Sequence, residues 1–588
     1  MATLTGSPFN DELYGGAAAD ALSGLAGDDL LDGGGGDDTL TGGTGFYDRL
    51  FGGDGDDVLD DPDGVSEIDA GAGDDNISLT IAPEWRNGAG GTGPTIVGPP
   101  VVGGTGSDSI SVTAGHAGLR FEVAADLAGS TGSTGGSDLV RIAGLYDQVI
   151  VVLGSGENTL EGGDFVELAQ GGDGRDVMAG GGGNDTLSGG ANDDLVCGGT
   201  GVDSVIGGAG FADSIHGGRD NDVLIDEDGV AVMSGGFGDD RLTVTFAANW
   251  DNDDFAGTPP QAQGVSGGDG ADVIAVTTLA SRMSLHVSGD GGSDLITVFS
   301  RDAGASIRIT ADGETPGGLD GADTIRLNDG SVYGTATVLL GGGDDNFTGG
   351  LEFGTGADMV LGGAGADVLI GNAADDTLDG EDDADFLSGG TGDDLLIGQA
   401  GNDRIWGDQP FAEFGQTGDG NDTLLGGAGN DEIAGGDGDD RLDGGSGDDV
   451  LWAIDGDDHL LGRMGNDMLY AGRGAATLEG GEGFDTYFIG RGDGPSWIVD
   501  DEAGDANGLV FYWGSGPAPD RGATPDDVLM FDNGDGTWSA FFADGSGAVT
   551  FRPETVPLLN FYDAGPDRVG GTGDDRVFAF LWDGTTYV

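Results

Sequence analysis

The stretch GGAGNDEIA GGDGDDRLD GGSGDDVLW AIDGDDHLL GRMGNDMLY AGRGAATLE GGEGFDTYF, residues 426–488, divides into seven nine-residue units without a gap. The sixth place of the unit reads Asp431, Asp440, Asp449, Asp458, Asp467, Ala476 and Asp485. The eighth reads Ile433, Leu442, Leu451, Leu460, Leu469, Leu478 and Tyr487. Glycines recur at places one, two and four, where they allow positive φ and a tight turn. Places six to nine predict a short strand whose apolar eighth residue faces inward. A single unit cannot bury that residue, but stacked units can, and the pattern therefore predicts a solenoid.

The unit recurs along most of the chain. A second run covers 353–406, with Asp358, Asp367, Asp376, Asp385, Asp394 and Asp403 at place six, and Asp422 precedes the seven-unit run. A third, over 162–206, supplies Asp176, Asp185, Asp194 and Asp203, and a fourth, over 6–41, supplies Asp11, Asp20, Asp29 and Asp38. Further units add Asp57, Asp75, Asp222 and Asp240. Each glycine-rich turn presents backbone carbonyls, and the sixth-place aspartate adds a carboxylate. Hard oxygen donors in such loops suit Ca²⁺, so all of these aspartates are expected to be metal ligands. Glu167 and Ala476 replace aspartate at place six, where an ion is expected to be absent or weaker.

Composition demands such a cation. The 588 residues carry 107 acidic and 20 basic side chains, a formal charge of −87, with 128 glycines. A chain of that charge and glycine content stays disordered in plain water unless the charge is neutralised. Nucleic acid, itself anionic, is excluded as a partner. One cysteine, Cys197, rules out an intrachain disulfide, leaving metal as the staple for an extracellular protein. The N-terminus MATLTGSPFNDELYGG lacks the basic and apolar stretches of a Sec-type signal peptide. The longest apolar run, VIVVL at 149–153, is too short to span a bilayer.

These units resemble the nonapeptide GGxGxDxUx of the repeats-in-toxin (RTX) family, a known calcium-binding repeat. The resemblance covers most of residues 6–488. It implies an all-β fold: a right-handed parallel β-roll in which two nonapeptides make one coil, with calcium between successive turns on the same edge. It also implies export through a type I secretion apparatus with an uncleaved C-terminal signal, and a secreted, possible cell-surface, location. The segment from FDTYFIGRGDG onward resembles the one that closes RTX arrays. Trp497, Trp513, Trp538 and Trp582 are expected to help form an aromatic, β-rich cap there, since an open solenoid end exposes its core and strand edges.

A longer duplication encloses the nonapeptides. GGTGFYDRLF at 42–51 matches GGAGFADSIH at 207–216, each one residue longer than nine. DPDGVSEIDAGAGDDNISLTIAPEW and DEDGVAVMSGGFGDDRLTVTFAANW match at the same offset of 165 residues. The expected organisation is residues 1–161 as one module, 162–350 as its copy, 351–488 as a β-roll array interrupted by a loop at 408–418, and 489–588 as cap and export region. Loops expected at 86–102, 251–264 and 408–418 would carry partner contacts.

Catalytic motifs are scarce. The histidines His116, His216, His286 and His459 contain no pair one helical turn apart, as a zinc protease requires. The lone GxSxG, Gly264 to Gly268 around Ser266, leads into a repeat turn rather than a helix. Arg120, His116 and Tyr146 are the one loose polar set. Cys197, at place nine, reads as a free outward thiol. The expected role is structural or adhesive, in a surface layer, biofilm matrix or attachment, with self-assembly or a cell-surface polysaccharide as partner. The competing readings are a polysaccharide-modifying enzyme and, behind it, a toxin or bacteriocin.

Overall fold

The computed structural model of the chain describes residues 1–82, 96–115, 119–126, 136–247, 263–279, 283–301, 305–312, 321–327, 334–350, 356–408, 420–490, 493–499, 507–513, 521–522, 528–533, 537–542, 548–552, 556, 558–563 and 576–581. The loops expected at 86–102, 251–264 and 408–418 lie mostly outside them, as do His116 and Trp582. Every regular element among the described residues is a β-strand. Two compact units result, Met1–Ala280 with His286–Gly291, and Ser281–Leu285 with Gly292–Val588.

In each unit consecutive strands alternate between two parallel sheets, and each strand pairs with the next but one in sequence. In the first unit Ala21–Ala26 pairs with Thr39–Thr44, while Leu30–Gly35, between them in sequence, pairs with Asp48–Asp54. In the second, Thr423–Ala428 pairs with Arg441–Ser446, and Glu432–Asp437 with Val450–Asp455. Two nonapeptides therefore make one coil of a parallel β-solenoid, the fold class expected.

Strands run longer than the unit pattern predicts. Thr39–Thr44 and Arg441–Ser446 extend from place seven through place three of the next unit, so the glycines of places one and two lie inside strands. Only places four to six turn. The glycines also differ in purpose. Place two has positive φ, 116° at Gly43 and 105° at Gly445, and Leu25, Ile454 and Arg463 accept the same conformation. Place one does not require positive φ. At most units its glycine leaves space, since a Cβ on Gly426 or Gly444 would come within 3.0 Å of the sixth-place carboxylate of its own unit, although Ala453 fills place one beside Asp458.

In the nonapeptide arrays the core is a single file of eighth-place side chains from each sheet, whereas longer strands bury more, as Val149, Val151 and Leu153 do. Ile433, Leu442, Leu451, Leu460, Leu469, Leu478 and Tyr487 are all 0% exposed. Burying each leucine contributes roughly 1.5–3 kcal/mol, but only once its neighbours are stacked. Outside, arginines bridge adjacent coils, as Arg49–Glu67 and Arg463–Asp443 do. These pairs are exposed and contribute at most about 1 kcal/mol each, far too little to offset the acidic excess.

The solenoid of the second unit ends in antiparallel strands. Gly508–Trp513 pairs in parallel with Thr486–Gly490 and Leu558–Asp563, and the latter turns back against Arg576–Leu581. On the other sheet Ser496–Ile498 leads to Val549–Phe551, Trp538–Phe542 and Val528–Asp532. Among the described side chains, phenylalanines fill this closure, with Trp538 half-buried. Phe511, Phe542 and Phe551 are buried, whereas Trp497 is 45% exposed.

Candidate metal centres

Each turn sets two acidic places in opposite directions. The sixth-place aspartate takes a backbone N–H bond on its Oδ1 from the sixth-place residue one coil earlier. Asp431 N–H donates to Asp449 Oδ1 at 2.8 Å, Asp449 N–H to Asp467 Oδ1 at 2.9 Å, and Asp467 N–H to Asp485 Oδ1 at 3.0 Å. The fifth-place side chain accepts from the following coil instead: Asp457 N–H donates to Asp439 Oδ1, and Ala475 N–H to Asp457 Oδ1, at 2.8 and 2.9 Å. The adjacent acids of DD pairs thus become a buried rung and an exposed rung, each closing a backbone donor that the turn would orphan.

The expected ligands all take this sixth-place position, and all but the half-buried Asp11 are buried. The first unit holds the runs Asp20–Asp38–Asp57–Asp75, Asp11–Asp29 and Asp185–Asp203–Asp222–Asp240, with Asp176–Asp194 continuing the first. The second holds Asp367–Asp385–Asp403–Asp431 and Asp358–Asp376–Asp394–Asp422–Asp440–Asp458.

With Oδ1 bonded, the other oxygen is left over. Oδ2 of Asp376, Asp394, Asp431, Asp440, Asp449, Asp458 and Asp467 is buried and accepts no hydrogen bond. In all but Asp458, whose unit has Ala453 at place one, it points into the space kept open by the place-one glycine. At Gly426 a Cβ would strike both Asp431 Oδ2 and the Gly444 carbonyl. A cradle of carboxylate and carbonyl oxygens, closed to larger groups by backbone, fits a hard cation such as Ca²⁺. Burial, reinforced by neighbouring carboxylates, pushes Asp440 up to about 8, Asp376 to about 8 and Asp394 to about 9. Near neutral pH such a row holds its charge poorly without a bound cation.

The departures behave differently. At Glu167 the carboxylate accepts from the buried Tyr146 hydroxyl and from Gly163 N–H, and the tyrosine oxygen fills the cradle beside Gly163. Ala476 is buried and offers no oxygen after Asp458. At the array's end, Gly480 N–H donates to Tyr487 Oη at 3.0 Å, placing a hydroxyl beside Asp485.

Of the loose polar set, His116 lies outside the described residues. Tyr146 is spent on Glu167, and Arg120 faces outward on strand Leu119–Asp126. Ser266 lies within strand Gln263–Asp269 and donates to Asp290, without the strand–turn–helix elbow a hydrolase needs. Cys197 is free and on the outer face of its strand, where its register neighbours Ala179 and His216 leave it half-buried. Burial raises the thiol's pKa and lowers that of His216, so both are neutral near pH 7.

Sequence register missed several rungs. Asp108, Asp138, Asp272, Asp294, Asp323 and Asp345 continue the same ladders, joined by Asn158 and Asn507. Insertions push them out of the nine-residue count. A local signal exists nonetheless: in GSDSI, GADVI, GSDLV and GADTI an aspartate stands two residues before the inward side chain. Asp48 and Asp213 are also rungs, accepting from Asp29 and Asp194, and were hidden by the ten-residue units.

The family model for the RTX calcium-binding nonapeptide repeat matches residues 3–31, 14–47, 32–60, 170–205, 207–242, 354–387, 379–409, 416–451 and 452–487. No curated protein matches the chain.

Proposed function

Because the chain belongs to the RTX calcium-binding nonapeptide repeat family, we propose that its calcium-driven folding serves a structural or adhesive role outside the cell. In this reading the sixth-place aspartates named above are the ligands, and all but Asp11, Asp20 and Asp358 give Oδ2 to an ion and Oδ1 to the previous coil. The observation that carries the reading is the unbroken row of buried, unbonded Oδ2 atoms from Asp431 to Asp467. At low cytosolic calcium these carboxylates repel and the chain stays loose enough for export through a type I apparatus. Outside, millimolar calcium closes the coils. Residues 1–161 and 162–350 would then act as two copies of one calcium-clamped module, 351–488 as a β-roll array, and 489–588 as cap and export region.

Calcium binding belongs to the repeats themselves. The structural role is tested by imaging the purified chain by electron microscopy in millimolar calcium and in chelator, alongside retention on cell-surface polysaccharide. Calcium-dependent ordered assembly or retention is expected. Dispersed monomers with no polysaccharide retention in both conditions would remove the structural and adhesive reading.

A further inference from the structure

Two sites differ in kind from the nonapeptide cradles. Asp48, Asp61 and Asp63 bring one carboxylate oxygen each within 4.8 Å of one another, and Asp213, Asp226 and Asp228 do the same. The second trio is the first advanced by 165 residues, so each copy of the duplicated segment carries one. Asp48 and Asp61 are 0% exposed, Asp213 0% and Asp226 1%.

The construction is the same in both. A ten-residue unit adds one residue before the rung, and the pairing register shifts just after it, between Asp48 and Arg49 and between Asp213 and Ser214. The next turn on that edge is not glycine-rich but DPDG or DEDG. Asp61 Oδ1 accepts from Gly64 N–H at 2.7 Å and Asp226 Oδ1 from Gly229 N–H at 2.8 Å, which fixes each carboxylate. Oδ2 of Asp61 and of Asp226 is fully buried and accepts no hydrogen bond. Both are aimed at the neighbouring rung: a Cβ on Gly42 would come within 3.0 Å of Asp61 Oδ2 and Asp48 Oδ2, and one on Gly207 within 3.0 Å of Asp226 Oδ2 and Asp213 Oδ2. Asp63 closes the first site with its other oxygen held by Gly45 N–H at 3.3 Å.

A nonapeptide cradle offers one such carboxylate oxygen with carbonyls. Each of these two clusters offers three carboxylates, two of them on a short, internally bonded turn. For a hard cation, affinity rises with the number of anionic ligands and with the rigidity of the loop. We propose that Asp48–Asp61–Asp63 and Asp213–Asp226–Asp228 are two dedicated calcium sites, one per copy, which fill before the nonapeptide turns and set the first coil on which each copy stacks. This rests on the calcium-binding reading of the repeats and adds a hierarchy to it.

The test is flow dialysis of the full chain with radioactive calcium, from calcium-free protein, at clamped free calcium. The wild-type chain is expected to bind two ions at free calcium about 10-fold or more below the midpoint of the remainder. Asp61→Asn with Asp226→Asn keeps the Oδ1 turn bonds and removes a buried charge from each site. Asp63→Asn with Asp228→Asn does so at the half-buried members, where folding is least disturbed. Each pair is expected to abolish the early two-ion phase and leave the later one, whereas Asp449→Asn with Asp467→Asn leaves the early phase intact. A wild-type chain that binds calcium in one undivided phase overturns the inference, as does an early phase that survives in both cluster variants. If the wild-type chain binds no calcium even at millimolar concentration, the calcium-binding reading fails with it.

Discussion

Asp449 separates the two jobs of a rung, and two substitutions divide them. Its Oδ1 accepts the Asp431 N–H at 2.8 Å, while Oδ2 is buried without a hydrogen bond. Asparagine preserves the first, as Asn158 and Asn507 do in the same ladders, at 3.0 and 2.8 Å from the amides they accept. It removes the anionic ligand. At calcium about 100 times the dissociation constant, losing one ion removes about 2.7 kcal/mol of stabilisation from that turn. Alanine removes the ion and also leaves the buried Asp431 N–H unbonded, a further cost of about 1–3 kcal/mol. Hydrogen exchange followed by mass spectrometry on the full chain reads both. In millimolar calcium, Asp449→Asn should lower protection of peptides spanning 444–470 by about 100-fold. Asp449→Ala should lower it further and extend the loss to the peptide containing Asp431. Distant coils should change little, since a solenoid couples mainly to neighbours. Wild-type protection in the asparagine variant would show that Oδ2 holds no ion, and the ligand assignment would be wrong.

Four further outcomes follow from the same geometry. Gly444→Ala, at a place with no need of positive φ, should weaken calcium binding by filling the cradle beside Asp449 Oδ2, with overpacking worth about 1–3 kcal/mol; unchanged calcium affinity would contradict the spatial role of place one. In calcium-free solution, acidification should favour folding. The folded pKa values of Asp440 and Asp394, raised to about 8 and about 9 from 3.8, mean that the folded coil binds protons more tightly; their contribution is full below about pH 4 and lost as pH rises through about 8–9. Circular dichroism of the metal-free chain that shows less strand at pH 4 than at pH 9 would refute this. Deleting 489–588 strips the parallel partners from Thr477–Glu482 and Thr486–Gly490, so the calcium midpoint of folding should rise and its steepness fall; an unchanged titration would make the tail an export signal alone. Removing 530–588 should retain the protein inside cells, and normal amounts in the medium would place the signal elsewhere.

Periodicity alone determined the solenoid, its inward file and most rungs, because a unit that cannot bury its own apolar residue has to stack, and stacking in register makes the same place of every unit equivalent. Leu442, Leu451 and Asp449 were legible for that reason. The tertiary structure decided what equivalence across coils cannot show. The two oxygens of a sixth-place carboxylate part company only when another coil supplies an amide, so the role of Oδ1 and the vacancy of hydrogen bonds at Oδ2 are properties of the stack. Place-one glycine looks like any turn glycine until the next coil's carbonyl stands beside it. Asp108 and Asp138 stand 30 residues apart in sequence, yet their backbones are one rung apart. Asp48, Asp61 and Asp63 belong to different units by count, and they meet because one extra residue shifts the register and a DxDG turn folds back over the edge. Sequence order records neighbours along the chain, whereas ion sites are built from neighbours across it, and in a coil those lie about 18 residues or more away.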